Sequence, residues 1–132
     1  MSATATATWY QHTFHGRPDQ VARIRHEIAA HLAGCPRADD VVLVASEFAT
    51  NSIVHSGSQG EFFTVRCQLY PDYVWIECED LGGEWQRKPD DDRPHGLDIV
   101  QVLAGPGNWG TETTHDGDRI AWARLDLPRQ RA

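Results

Sequence analysis

Hydrophobic positions along the chain alternate between two periods. Residues 8–15, TWYQHTFH, are bulky and β-prone and predict a first strand. Arg17-Pro18-Asp19 ends it, and Pro18 with Asp19 suits a helix entry. Val21, Ile24, Ile28 and Leu32 then recur at three- and four-residue spacing, predicting an amphipathic helix that ends near Gly34. Beyond the Cys35-Pro36 turn, VVLVASEFATNSIVHS lies in a second helix from about Ala38 to His55, stopped by the loop signal SGSQG. EFFTVRCQLYPDYVWIECED holds two β-prone runs around Pro71-Asp72, a strand–turn–strand hairpin. Residues 82–95, GGEWQRKPDDDRPH, combine glycines, prolines and aspartates and predict a long mobile loop, which in a compact domain is commonly a functional lid or a disordered segment. GLDIVQVLAG predicts a short helix, and WGTETTHDGDRIAWARLDL a second hairpin turning at Asp116-Gly117.

The resulting order is β-α-α-β-β-loop-α-β-β. Strands that come as hairpins build a largely antiparallel sheet, and helices packed on one face of it give a two-layer α/β (α+β) sandwich. One domain over residues 8–128 is expected, with short tails at 1–7 and 129–132, no internal repeat, and no regular βαβ alternation. There is no GxxxxGK[ST], which excludes a Walker-type phosphate cradle.

Composition narrows this picture. A chain of 132 residues, 40% hydrophobic and 23% charged, can bury about 65–70% of its unfolded surface without staples. It has no run of eighteen apolar residues, so no membrane span is expected. The start, MSATATATWYQ, lacks the basic and apolar regions of a signal peptide. A net charge of −7 argues against direct nucleic-acid binding, which needs a basic face. Cys35, Cys67 and Cys78 form no CxxC pair and read as reduced thiols in the cytoplasm. Zinc is a weaker reading, because His12/His15 and His26/His31 lack cysteines at matching spacing.

Four constellations of polar residues need a reason. Glu47 and Asn51 stand four residues apart on the second helix, among residues that the pattern places inside. An unpartnered buried carboxylate is costly. Either both side chains hydrogen-bond across helices or to loop backbone, or Asn51 offers an amide oxygen to Mg²⁺ while Glu47 acts as general base. In IECEDLGG, Asp80 ends a strand. It either caps a turn or accepts a hydrogen bond from a ligand amino group, with Gly82 allowing a flat ring close to the backbone. In HGLDIV, Gly96 opens a helix whose free N–H groups suit an anion. The run Asp90-Asp91-Asp92 reads as a solvated loop face.

The order of these signals resembles the GHKL ATPase superfamily, and within it the small single-domain anti-sigma-factor serine kinases. ASEFATNSIVHS is similar to their N box, CEDLGG to their DxG box and PHGLDIV to their GRGLxIV box, while the closing hairpin also matches. The resemblance runs from about Trp9 to Leu127. It implies the GHKL fold, ATP and Mg²⁺ as cofactors, and a serine/threonine protein kinase acting on an anti-anti-sigma antagonist and holding a sigma factor inactive. It implies Glu47 as general base, Asn51 as Mg²⁺ ligand, Asp80 on the adenine amino group with Gly82 beneath the base, and Gly96 and Leu97 as backbone donors to phosphate. His55 matches the histidine that ends the N box. Related proteins commonly form homodimers. Where the family has Gly-Arg before the helix, this chain has Pro94-His95, so His95 stands where a guanidinium is usual. Arg87, Lys88 or Arg93 could supply the lost charge. The departure keeps a non-catalytic ATP-binding or partner-binding module open as the alternative. Arg23 and Arg25 lie on the first helix, where related regulators are expected to contact partners, but read rather as an ordinary solvated face.

Overall fold

A computed structural model describes residues 8–55, 61–82 and 96–128. Its elements follow the predicted order: β1 (Thr8–His15), α1 (Gln20–His31), α2 (Ala38–His55), β2 (Phe62–Leu69), β3 (Tyr73–Asp80), α3 (Gly96–Ala104), β4 (Trp109–Thr113) and β5 (Arg119–Asp126). The predicted loop over 82–95 falls, beyond Gly82, outside the described residues, as do the two tails.

The strands form a five-stranded sheet in the order β1-β2-β3-β5-β4. Every described pairing is antiparallel, where the hairpin pattern predicts a largely antiparallel sheet. β2 and β3 are joined tightly: the Tyr70 amide donates to the Tyr73 carbonyl at 2.9 Å across Pro71-Asp72. β4 and β5 meet at residues 114–118, where the Thr114 amide donates to the Asp118 carbonyl at 2.7 Å and Gly117 takes a positive φ of 88°. The Asp-Gly signal is thereby explained, since that backbone conformation favours glycine.

Period-two alternation sorts the sheet into two faces. Phe63, Val65 and Cys67 of β2, Val74, Ile76 and Cys78 of β3, and Ala121, Ala123 and Leu125 of β5 are buried on one face. The helices cover that face: Ile24, Ile28 and Leu32 from α1, Val41, Val44, Ala45, Phe48, Ala49 and Ile53 from α2, and Val100 from α3 complete one core. The opposite face is half-buried and polar-aromatic. Trp75 and Trp122 stack there with centroids 4.9 Å apart and planes 4° apart, and Arg66 bridges Glu77 at 3.2 Å and Glu79 at 2.9 Å.

Three details go beyond the periodic pattern. Asp19 precedes α1 as expected but makes no side-chain cap. The first turn is closed instead by backbone, with the Gln20 amide donating to the Arg17 carbonyl at 3.0 Å. Arg37, just before α2, ties three elements: its Nε donates to Asp40 at 3.0 Å, its Nη1 to the Asp126 carbonyl at 3.0 Å and its Nη2 to the Leu103 carbonyl at 2.5 Å. At the sheet edge, Glu27 of α1 accepts from Tyr10 Oη at 2.9 Å and Arg23 Nε at 2.8 Å, and meets His12 Nδ1 at 2.6 Å. Burial opposes the charge on Glu27, but the bonds from His12, Tyr10 and Arg23 outweigh it and hold the carboxyl below its ordinary range. Burial first, then Glu27 itself, pushes the Tyr10 phenol up.

Two stability predictions follow from this packing. Phe48 is 2% exposed at the centre of the core, so Phe48→Ala should cost about 3–5 kcal/mol in urea unfolding. Because Glu27 binds its proton less readily folded than unfolded, its contribution is present above the ordinary carboxylate range and is lost as pH falls through the folded value. Glu27→Gln should therefore destabilise by about 1 kcal/mol at pH 7. The difference from wild type should shrink towards zero below about pH 4 in the same unfolding experiment.

Candidate functional site

The alternation that builds the core carries a carboxylate into it. Val74, Ile76 and Cys78 point towards the helices, and the next residue in that row is Asp80, 5% exposed. A charged group there needs donors. Ser52 Oγ of α2 donates to Asp80 Oδ2 at 2.8 Å, and the Gly82 amide donates to Oδ1 at 2.8 Å. The turn-capping reading of Asp80 is thus satisfied. It does not exhaust the group, because a carboxylate offers about four acceptor positions and these bonds take two.

Gly82 is held by the fold itself. Its φ is +73°, and a Cβ there would lie 2.5 Å from the Gly117 carbonyl oxygen. The β4–β5 turn therefore backs directly onto the segment that follows Asp80, and only glycine fits between them. This end of the sheet is acidic. Burial, followed by Glu79, pushes the Asp118 carboxyl above its ordinary range, with Asp116 and Asp80 adding to the effect.

Ser52 also fixes how α2 faces the site. The buried stripe of α2 runs through Val41, Val44, Ala45, Phe48, Ala49, Ser52 and Ile53. Glu47 and Asn51 lie along its flank and are half-buried, not within the stripe as the sequence pattern suggested. The apolar run before them hid the phase of the helix: Leu43 belongs to the outer side and is 39% exposed. Among the described residues, neither Glu47 nor Asn51 has a side-chain hydrogen bond or ion pair. The cross-helix bonding that would have explained them away is thus absent among those residues. One turn of helix separates them, and Asn51 immediately precedes the serine that reaches Asp80.

Gly96 and Leu97 open α3, which packs on α2 and β5. Val100 is fully buried beneath it, while Val102 on its outer side is 81% exposed. His95 lies outside the described residues, and so do Arg87, Lys88 and Arg93. His55 ends α2. Arg119, which the sequence pattern did not single out, is the cross-strand partner of Asp80 and shares its face. No group of three or more His, Cys, Asp or Glu side chains among the described residues could hold a metal ion. A hard cation here would depend on ligand oxygens and water for most of its coordination, the usual habit of Mg²⁺. No helix among the described residues is long and apolar enough to cross a membrane.

Comparison with known proteins bears on the fold and the family. The profile of the histidine kinase-like ATPase domain matches residues 14–114. No curated protein matches the sequence. Among solved structures, the crystal structure of the RsbU and RsbW domains of Rv1364c from Mycobacterium tuberculosis superposes with a TM-score of 0.71 at 20% identity, covering 92% of this chain and 33% of that one. The chain thus spans about a third of that protein's length, and the likeness is one of fold. With the matched segment covering most of the sequence, from the end of β1 to the turn after β4, the chain belongs to the histidine kinase-like ATPase domain family.

Proposed function

We propose that the protein is an ATP-binding regulator of the anti-sigma type that transfers phosphate from Mg²⁺-ATP to a serine or threonine of an anti-anti-sigma antagonist. Membership in an ATPase domain family supports ATP binding in general terms. The observation that carries the finer reading is the pair Glu47 and Asn51. They are half-buried, have no bonded partner among the described residues, and lie on the helix whose Ser52 bonds the buried Asp80. Half-buried polar side chains with no bond of their own among the described residues are available to a polar ligand.

Bound Mg²⁺-ATP supplies the phosphoryl group. Asp80 accepts a hydrogen bond from the adenine amino group with the acceptor positions that Ser52 and Gly82 leave. The acidic β4–β5 turn repels phosphate, which would favour the triphosphate end lying away from it, towards the flank of α2. There Asn51 would hold the divalent ion through its amide oxygen, and Glu47 would take the hydroxyl proton of the incoming serine or threonine. Gly96 and Leu97 present main-chain N–H groups to phosphate at the start of α3. Positioning and charge stabilisation of this kind account for most of phosphoryl-transfer catalysis. Once its antagonist is modified, the protein is free to hold a sigma factor. A second reading, a module that binds ATP and a partner without transferring phosphate, is favoured by one observation: Pro94-His95 stands in place of the family's Gly-Arg.

Labelled ATP incubated with the protein and candidate antagonists tests this. Label on an antagonist serine or threonine is the expected result, and calorimetric ATP binding without any transfer would leave the non-catalytic module. Glu47→Ala should keep ATP affinity while transfer falls about 10²–10⁴-fold, the usual worth of a general base. Transfer at the wild-type rate would remove Glu47 from that role. Asn51→Ala should abolish the enhancement of ATP affinity by Mg²⁺, and an unchanged Mg²⁺ dependence in the same titration would exclude it as the ion's ligand.

A further inference from the structure

Buried hydroxyls on a helix usually bond back to their own backbone. Ser46 follows that habit, donating to the Leu43 carbonyl at 2.9 Å, and Thr50 donates to the Ser46 carbonyl at 2.8 Å. Ser52, on the same helix and 2% exposed, sends its hydrogen across to β3, onto Asp80 Oδ2 at 2.8 Å. Its oxygen also lies 3.2 Å from Cys78 Sγ. Burial pushes the Cys78 thiol up to about 12, against the opposing effect of its bond with Ser52. The sulfur therefore keeps its hydrogen and can donate it. With the serine hydrogen committed to Asp80, the bonds run in one direction: Cys78 Sγ–H to Ser52 Oγ, then Ser52 O–H to Asp80 Oδ2. The Gly82 amide donates to the other carboxylate oxygen at 2.8 Å.

We infer that Ser52 is a positioning residue that sets purine selectivity by holding Asp80 as an acceptor on both oxygens. This rests on the nucleotide reading given above. A carboxylate fixed by donors from both sides offers a ligand only further acceptor positions. It matches a 6-amino purine, which brings N–H, and opposes a 6-oxo purine, which brings a second acceptor. Without the hydroxyl, Oδ2 loses its anchor and the carboxyl is free to turn, so a 6-amino group loses its fixed acceptor and a 6-oxo group is opposed less. Ser52 touches no ligand in this scheme. It acts through Asp80.

The test is calorimetric titration of the whole chain with ATP and with ITP, which differ at position 6 by amino against oxo. Wild type should prefer ATP by at least about tenfold. Ser52→Ala should lower that ratio by about tenfold, through weaker ATP binding together with an ITP affinity that holds or rises. Ser52→Thr, which keeps the hydroxyl, should restore the ratio. Ser52→Cys, close in volume but a weak donor, should lose it, and serves if the alanine variant does not fold. A ratio unchanged in Ser52→Ala or Ser52→Cys overturns the inference, as does an equal loss for both nucleotides, which marks a merely structural serine. Wild type binding neither nucleotide overturns the nucleotide reading and this inference with it, and so is distinct from binding without selectivity.

Discussion

A carboxylate held inside an apolar layer organises this protein. Asp80 is the last residue of the row Val74, Ile76, Cys78, Asp80, and strand geometry leaves it no way to face solvent without turning the whole row outward. Burying that charge without donors would cost several kcal/mol. Two donors arrive from separate parts of the chain: the hydroxyl of Ser52 on α2 and the amide of Gly82 after the strand. The requirement to satisfy Asp80 therefore fixes the approach of α2 to β3. Gly82, in turn, can take its position only because it lacks a Cβ where the Gly117 carbonyl intrudes.

With α2 fixed in this way, its two sides separate in purpose. Val44, Phe48, Ala49 and Ile53 fill the core. The flank carries Glu47 and Asn51, which the fold leaves unspent among the described residues. α3 completes the helical layer and is pinned through its second half. Val100 is buried beneath it, Arg37 binds the Leu103 carbonyl near its end, and Gln101 receives the Trp109 indole N–H from β4. Rigid anchoring of this kind suits a site whose groups must hold a polar ligand in one geometry.

Much of this was legible in the sequence, and the exceptions have physical causes. Strand boundaries around Pro71-Asp72 and Asp116-Gly117 could be read because turn chemistry is local. The Asp80-Gly82 pair stood out for the same reason, since a strand that ends on a carboxylate and a glycine is visible in a few residues. The phase of α2 was harder. VVLVA is apolar on every side, so its pattern could not show that Leu43 faces outward and that Glu47 and Asn51 ride the flank. Ser52 was overlooked because a lone serine in a helix carries no signal by itself. The available clue was its phase, in line with Val41, Ala45, Phe48 and Ala49. The Glu27 cluster and the Arg37 ties join residues 15 or more positions apart through tertiary packing alone, apart from their local Arg23 and Asp40 contacts. No periodicity announces such bonds.

The central claim is that the buried carboxylate of Asp80 both anchors α2 and selects the ligand. Calorimetric titration of ATP into wild type and Asp80→Asn, each first shown by circular dichroism to be folded, addresses it most directly. Wild type should bind saturably and the variant at least about a hundredfold more weakly, the effect of turning a paired acceptor into a mismatched amide. Equal affinity in the two proteins would contradict it.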